Sequence, residues 1–112
     1  MPKKKPMCSM CMRSMATLAY SLGHIVAKIE DEKWWEAREY YEIIALPEFE
    51  YLSDAGCLYE PEKIEMSKYF ENLEKAIENR EWLDAYDYTL KINDLIRKAA
   101  SRLFEEKLCK YG

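Results

Sequence analysis

The feature that most constrains this chain is the spacing of apolar residues in its first quarter. Between Cys8 and Ile29, apolar side chains recur at alternating steps of three and four residues, which is the pattern of one buried helix face. The spacing predicts a first helix from about Met7 to Glu30, and Pro6 stands where a helix start tolerates it. The members of this seam are Cys8, Cys11, Met15, Leu18, Leu22, Ile25 and Ile29.

Similar spacing predicts three more helices further along the chain. Proline marks two of their boundaries, because it lacks a backbone N–H and is tolerated in a first helical turn but not in a helix interior. The chain has three Gly and four Pro, which leaves few turn signals for a many-stranded β fold. The predicted elements are a second helix over 32–46 that Pro47 stops, a loop over 47–60, a third helix from Pro61 to the turn at 79–80, and a fourth helix continuing toward Lys107.

An internal repeat indicates how these helices are arranged. Residues 29–44 and 77–92 share identical residues at six equivalent positions, and each unit spans one turn between two helices. We therefore predict an all-α fold, an antiparallel four-helix bundle built from two helical hairpins, with residues 1–112 as a single domain. Trp34 and Trp82 are equivalent in the repeat and are expected to plug one end of the bundle. The alternative is an aromatic surface that binds a partner.

Charge is distributed unevenly along the chain. Residues 1–29 contain five bases and no acid, residues 30–84 contain 17 acids and six bases, and the whole chain carries a net charge of −4. An overall acidic balance disfavours a general DNA-coating role. The pattern fits either complementary charges between neighbouring helices or a local basic surface for an acidic partner or nucleic acid, which includes a basic tail over residues 1–6. The residues of this candidate basic surface are Lys3, Lys4, Lys5, Arg13, Arg102, Lys107 and Lys110.

Four cysteines are the feature that distinguishes this chain from a generic bundle. Cys8 and Cys11 begin the first helix, Cys57 lies in the connection between the second and third helices, and Cys109 follows the fourth. In an up-down-up-down bundle these three places lie at the same end. Cys109 fits least well, because an unbroken fourth helix would carry it about two turns too far at about 1.5 Å per residue. The topology nevertheless predicts a shared four-cysteine site.

Several chemistries suit four cysteines in this arrangement. One Cys-x-x-Cys pair with two isolated cysteines suits a [4Fe–4S] cluster, with a structural and electron-transfer role, and this is our leading interpretation. Zinc is an alternative, although structural zinc sites usually use two close pairs of ligands. Disulfides are a further alternative. The chain lacks Gln and is rich in Glu and Lys, as hyperthermophile proteins are, and such organisms keep disulfides inside the cell. The last alternative is four separate buried thiols that form no shared site.

Other residue types give weaker functional signals. His24 is the single histidine and is interpreted as structural, and no Gly-rich phosphate loop, nucleophile elbow or Ser/His/Asp set is present in the sequence. No apolar run reaches the length of about 18–20 residues that a membrane span needs. We expect an intracellular, cytoplasmic protein without a membrane role or a self-contained enzymatic activity. The alternative to a metal protein is a helical scaffold or adaptor with an unidentified protein partner, stapled by zinc or disulfides and associated with nucleic acid through its basic end.

Overall fold

The computed structural model describes residues 4–105, and the side chains of residues 9–105. Helices make up 89% of the described structure, and no strand occurs within those residues. Four helical rods follow one another, the second of which changes its hydrogen-bond pattern midway. Their elements are α1 (Lys4–Glu30), α2 (Trp34–Tyr40), a π-helical segment (Tyr41–Ala45) that runs without a break into α3 (Leu46–Asp54), α4 (Glu60–Glu78) and α5 (Trp82–Glu105).

The predicted seams form the hydrophobic core. On α1, each seam residue from Cys11 to Ile29 is buried, and Leu18 and Ile25 are fully enclosed. The same holds for Met66, Phe70, Leu73 and Ile77 on α4. Alternating three- and four-residue steps place these side chains on one stripe of each helix, so burying that stripe removes a continuous apolar surface from water. The periodicity prediction is confirmed for these residues.

The predicted helix stop at Pro47 and the long loop over 47–60 are wrong. Pro47 lies in the first turn of α3, and helix continues to Asp54. The reason lies in the π-helical segment just before it, where the Leu46 N–H donates to the Tyr41 carbonyl five residues earlier. A π turn is wider than an α turn, so it accommodates a ring that would otherwise meet the carbonyl four residues back.

Two turns with the same pattern of backbone hydrogen bonds join α1 to α2 and α4 to α5. In the first, the Glu32 N–H donates to Ile29 O (2.9 Å) and the Lys33 N–H to Lys28 O (2.8 Å). The second repeats these bonds 48 residues later, from Arg80 to Ile77 and from Glu81 to Ala76. Glu32 and Arg80 both adopt a left-handed conformation, with φ of 58° and 55°. This is the helix-ending arrangement in which glycine is the usual residue.

Replacing Arg80 by glycine should stabilise the protein. Side chains pay a steric cost in the left-handed region that glycine avoids, so Arg80→Gly should raise the free energy of unfolding by about 0.5–1 kcal/mol. Arg97→Gly provides the matched control, since Arg97 is exposed within α5, where glycine costs about 1 kcal/mol. Chemical denaturation followed by circular dichroism measures both. Equal losses of stability in the two variants would contradict the expectation.

The rods pack side by side into an elongated molecule. α1 contacts α5 and the whole rod from α2 to α3, while α4 contacts α5 and α2. The principal extents are 49 × 22 × 19 Å, so the two ends are far apart. None of the helices in the described part of the chain is both long and apolar enough to span a membrane.

Candidate functional site

A disulfide joins two of the four cysteines at one end of the molecule, called here the cysteine end. Cys11 of α1 and Cys57 of the connection between α3 and α4 are bonded, with their Cα atoms 5.7 Å apart. Both residues are buried. Gly56 adopts a φ of 79° after α3, which a side chain would disfavour, and the Cys57 N–H then donates to the Leu52 carbonyl (3.0 Å). This tight turn directs Cys57 toward α1.

The predicted four-cysteine centre that holds a [4Fe–4S] cluster is wrong. A thiolate is the form of cysteine that ligates metals, and the sulfurs of Cys11 and Cys57 are bonded to each other instead. Among the described residues, no group of three or more His, Cys, Asp or Glu side chains is placed to hold a metal ion. The side chain of Cys8 and the whole of Cys109 lie outside the described residues. The sequence correctly placed Cys11 and Cys57 close together. The spacing of cysteines does not determine their oxidation state.

Arg102, predicted as part of a basic surface, is engaged inside the molecule. Its guanidinium donates to both oxygens of Glu62 (2.7 and 3.1 Å) and to the carbonyl of Cys57 (3.2 Å). It also lies over the ring of Tyr59, 3.7 Å from its centre. Burial opposes the charge of Arg102, but the hydrogen bonds and charge of Glu62 outweigh it and raise the pKa of the guanidinium. Arg102 therefore ties α5 to α4 beside the disulfide.

The remaining members of the predicted basic surface are only partly described. Arg13 is exposed on α1. The backbones of Lys4 and Lys5 belong to α1, but their side chains are outside the described residues, as are the whole of Lys3, Lys107 and Lys110. A continuous basic surface at the cysteine end therefore stays a prediction.

In the C-terminal part of α1, His24 takes part in an aromatic stack. Its ring lies parallel to that of Tyr40, with centroids 4.8 Å apart, and edge-on to that of Tyr20 at 4.3 Å. Tyr40 belongs to α2, so the stack holds α1 against the second rod. This is the packing role that the sequence suggested for His24.

A groove of about 710 Å³ opens at the other end of the molecule, called here the turn end because both turns lie there. Ligand sites typically have volumes of roughly 300–1,000 Å³ and combine apolar walls with a few polar groups. The groove has this composition, since aliphatic and aromatic side chains form its walls and three charged residues stand among them. Its lining residues are Val26, Ile29, Glu30, Glu32, Trp34, Arg80, Trp82 and Tyr86.

The two tryptophans of the repeat differ in their surroundings. Trp34 is partly buried against the core, whereas 59% of Trp82 is exposed. The expectation that both plug the end of the protein is therefore wrong for Trp82. The partial burial of Trp34 agrees with the plug. Tyr86, one turn after Trp82, is 43% exposed and extends the same aromatic wall.

Charge at the turn end is predominantly negative. The segments 30–36 and 78–84 contain seven acids and two bases, a net charge of −5. Some of these charges are compensated, since Lys28 pairs with Glu36 at 2.8 Å and hydrogen-bonding to this carboxylate raises the pKa of Lys28. Glu30, Glu32 and Arg80 form no ion pair with another described residue. The groove therefore combines an apolar wall with charged side chains that form no ion pair within the described part of the chain.

The sequence predicted an aromatic partner surface at this end only as the alternative to a plug, and it did not predict the groove. It identified the two tryptophans and the acidic character of the turn end, but it did not connect Val26 and Tyr86 with them. The available signal was the pair of charged residues, Glu32 and Arg80, at turn positions where glycine is usual. No protein-family model matches this sequence, and searches of curated proteins and of solved structures found no match either.

Proposed function

We propose that this protein is a disulfide-stapled helical scaffold that acts as an adaptor, binding a segment of a partner protein in the groove at the turn end. The observation that carries the proposal is the exposed aromatic wall of that groove. Exposed tryptophan and tyrosine side chains are enriched where proteins bind one another, because each provides a large rigid surface with a polar group. Trp82 and Tyr86 provide such a wall, and Val26 and Ile29 provide the apolar surface beside it.

The proposal includes the finer architecture, an antiparallel four-helix bundle made of two hairpins. Its support is that α1 packs against the second rod, α4 packs against α5, and both pairs are joined by turns with the same backbone hydrogen bonds. Such a bundle holds the two turns side by side, so that residues at equivalent positions face a common groove. The disulfide and the Arg102 contacts hold the opposite end closed, which leaves the turn end for binding.

Charge complementarity indicates the chemistry of the partner segment. Glu32 lines the groove together with aromatic side chains. Its carboxylate and the faces of their rings attract the same kind of group, a lysine or arginine side chain. The net charge of −5 in the two turn segments adds a longer-range attraction for cations. We therefore infer a segment in which a basic residue adjoins an apolar one. Arg80 on the same groove favours an acidic group elsewhere in that segment.

Selection from a displayed library of random peptides tests this proposal. The full chain should enrich peptides in which lysine or arginine neighbours an apolar residue. Synthetic versions should bind Trp82→Ala roughly 30-fold more weakly, since aromatic anchors contribute about 2 kcal/mol or more. Trp35→Ala is the matched control, because Trp35 is 73% exposed but does not line the groove. It should bind the peptides as the unchanged chain does.

Three outcomes would overturn the proposal. They are the absence of any enriched sequence, enriched peptides that bind Trp82→Ala without loss, and enrichment that favours acidic peptides. A nucleic acid that binds more tightly than any peptide, and whose binding depends on Lys3–Lys5 in a gel-shift assay, would point to the basic end instead.

A further inference from the structure

The outer face of α1 carries a second regular pattern, opposite its core seam. Residues 14–27 contain no charged residue, although this part of α1 is open to solvent on one side. Ala16, Tyr20, Gly23 and Ala27 follow one another at steps of four, three and four, and all four are exposed. Exposed helix faces normally carry charged and polar side chains. A neutral seam with coiled-coil spacing instead has the form of a surface that packs against another helix.

Gly23 is unexplained by the packing of a single copy. It lies within α1, where glycine costs about 1 kcal/mol relative to alanine. Glycine is usually found where φ is positive or where other atoms come close, but Gly23 is not among the residues with positive φ. A Cβ built on it would meet nothing within 4 Å. A helix from outside the chain that packs closely against this position explains why it is a glycine.

The seam is complementary to itself when two copies run antiparallel. Placing Tyr20 of one copy opposite Gly23 of the other matches a large exposed side chain, 65% accessible, with a position that has none. The same register sets Ala16 against Ala27 and, at the ends of the seam, Arg13 against Glu30. Arg13 and Glu30 are exposed, and neither forms an ion pair with another described residue. Each contact occurs twice, as two-fold symmetry requires.

We propose that the protein forms a symmetric homodimer in which α1 packs antiparallel on α1 of a second copy through this seam. Opposite charges at both ends of a neutral seam favour this register, because a parallel pairing would place Arg13 beside Arg13 and Glu30 beside Glu30. A specific interface buries about 800 Å² per partner, more than one helix face supplies. Ile43 and Leu90 belong to two elements that contact α1, the π-helical segment and α5. They are 69% and 51% exposed and offer further apolar area.

Analytical ultracentrifugation of the full chain tests the dimer. Gly23→Leu should weaken dimerisation by at least about tenfold, or 1.4 kcal/mol, because it fills the position that receives Tyr20. Its helix content should stay unchanged, since the added side chain meets nothing within its own copy. Ser67→Leu is the matched control, because it adds the same side chain to an exposed position of α4. That variant should dimerise as the unchanged chain does.

Charge reversal tests the antiparallel register separately. Arg13→Glu and Glu30→Arg should each weaken the dimer, because each places two like charges opposite one another in both halves. The double variant restores opposite charges and should recover the original dimerisation constant within about a factor of two, well under 1 kcal/mol. A chain that remains monomeric up to about 1 mM, a dimer that tolerates Gly23→Leu, or a double variant that stays as weak as the singles would overturn the proposal.

Discussion

Removing the disulfide by the double substitution Cys11→Ala and Cys57→Ala should lower the free energy of unfolding by about 3–4 kcal/mol. The bond closes a loop with a sequence separation of 46 residues. On the chain-entropy model, a loop of this size restricts the unfolded chain by about 4 kcal/mol, and measured values commonly lie at or below that figure. Alanine at both positions avoids leaving a lone buried thiol next to an empty space.

Thermal and urea unfolding followed by circular dichroism measure this effect. For a domain of this size the midpoint temperature should fall by roughly 10–25 °C, while the helical spectrum at low temperature is retained. Dithiothreitol should lower the midpoint of the unchanged chain by a similar amount and have a much smaller effect on the double variant. A double variant as stable as the unchanged chain would show that the bond contributes little to the folded state.

Replacing Phe70 by alanine should destabilise the protein by about 3–5 kcal/mol, the range observed for deleting a buried aromatic ring. The Phe70 ring is 2% exposed and stacks on Phe49 with centroids 4.8 Å apart. The hydroxyl of Tyr41 donates to the Phe70 carbonyl at 3.0 Å, and burial raises the pKa of that hydroxyl well above its usual value. Phe70 therefore sits where α4 meets the π-helical segment and α3.

Phe104→Ala is the matched control for this substitution, because Phe104 is 60% exposed on α5. It removes the same atoms from a site open to water and should change stability by less than about 0.5 kcal/mol. Urea denaturation of both variants measures the difference between them. Similar losses of stability for Phe70→Ala and Phe104→Ala would mean that the Phe70 side chain is not enclosed when the protein is in solution.

Periodic spacing was enough to predict α1, α4 and α5 and most of their buried faces, but not α3. Helix burial depends on a local rule, that residues three and four apart share a face, and this rule can be read along one stretch of chain. It identified Leu18 and Ile25 on α1 and Ile92 on α5, each of which is fully enclosed. The proline at position 61 likewise indicated the start of α4 correctly, since it occupies the first turn.

Features that depend on contacts between distant segments were not predictable in this way. Whether Cys11 and Cys57 are thiolates or a disulfide depends on the distance between two segments that spacing brings together only approximately. The environments of Trp34 and Trp82 differ although the repeat makes them equivalent, since Trp34 packs against the core and 59% of Trp82 is exposed. Pro47 fits within a helix because a π turn precedes it. The spacing of apolar residues does not indicate such a turn.

The π-helical segment also bears on how this chain should be compared with others. A turn closed over five residues instead of four contains one extra residue, so the segment Tyr41–Ala45 acts as a single-residue insertion within an otherwise regular rod. Residues before and after it belong to two helical registers, and Ile43 within the segment is 69% exposed. An alignment with a shorter relative should therefore place its one-residue gap within this segment, since a gap elsewhere in the rod would rotate Ala37 or Leu52 out of the core.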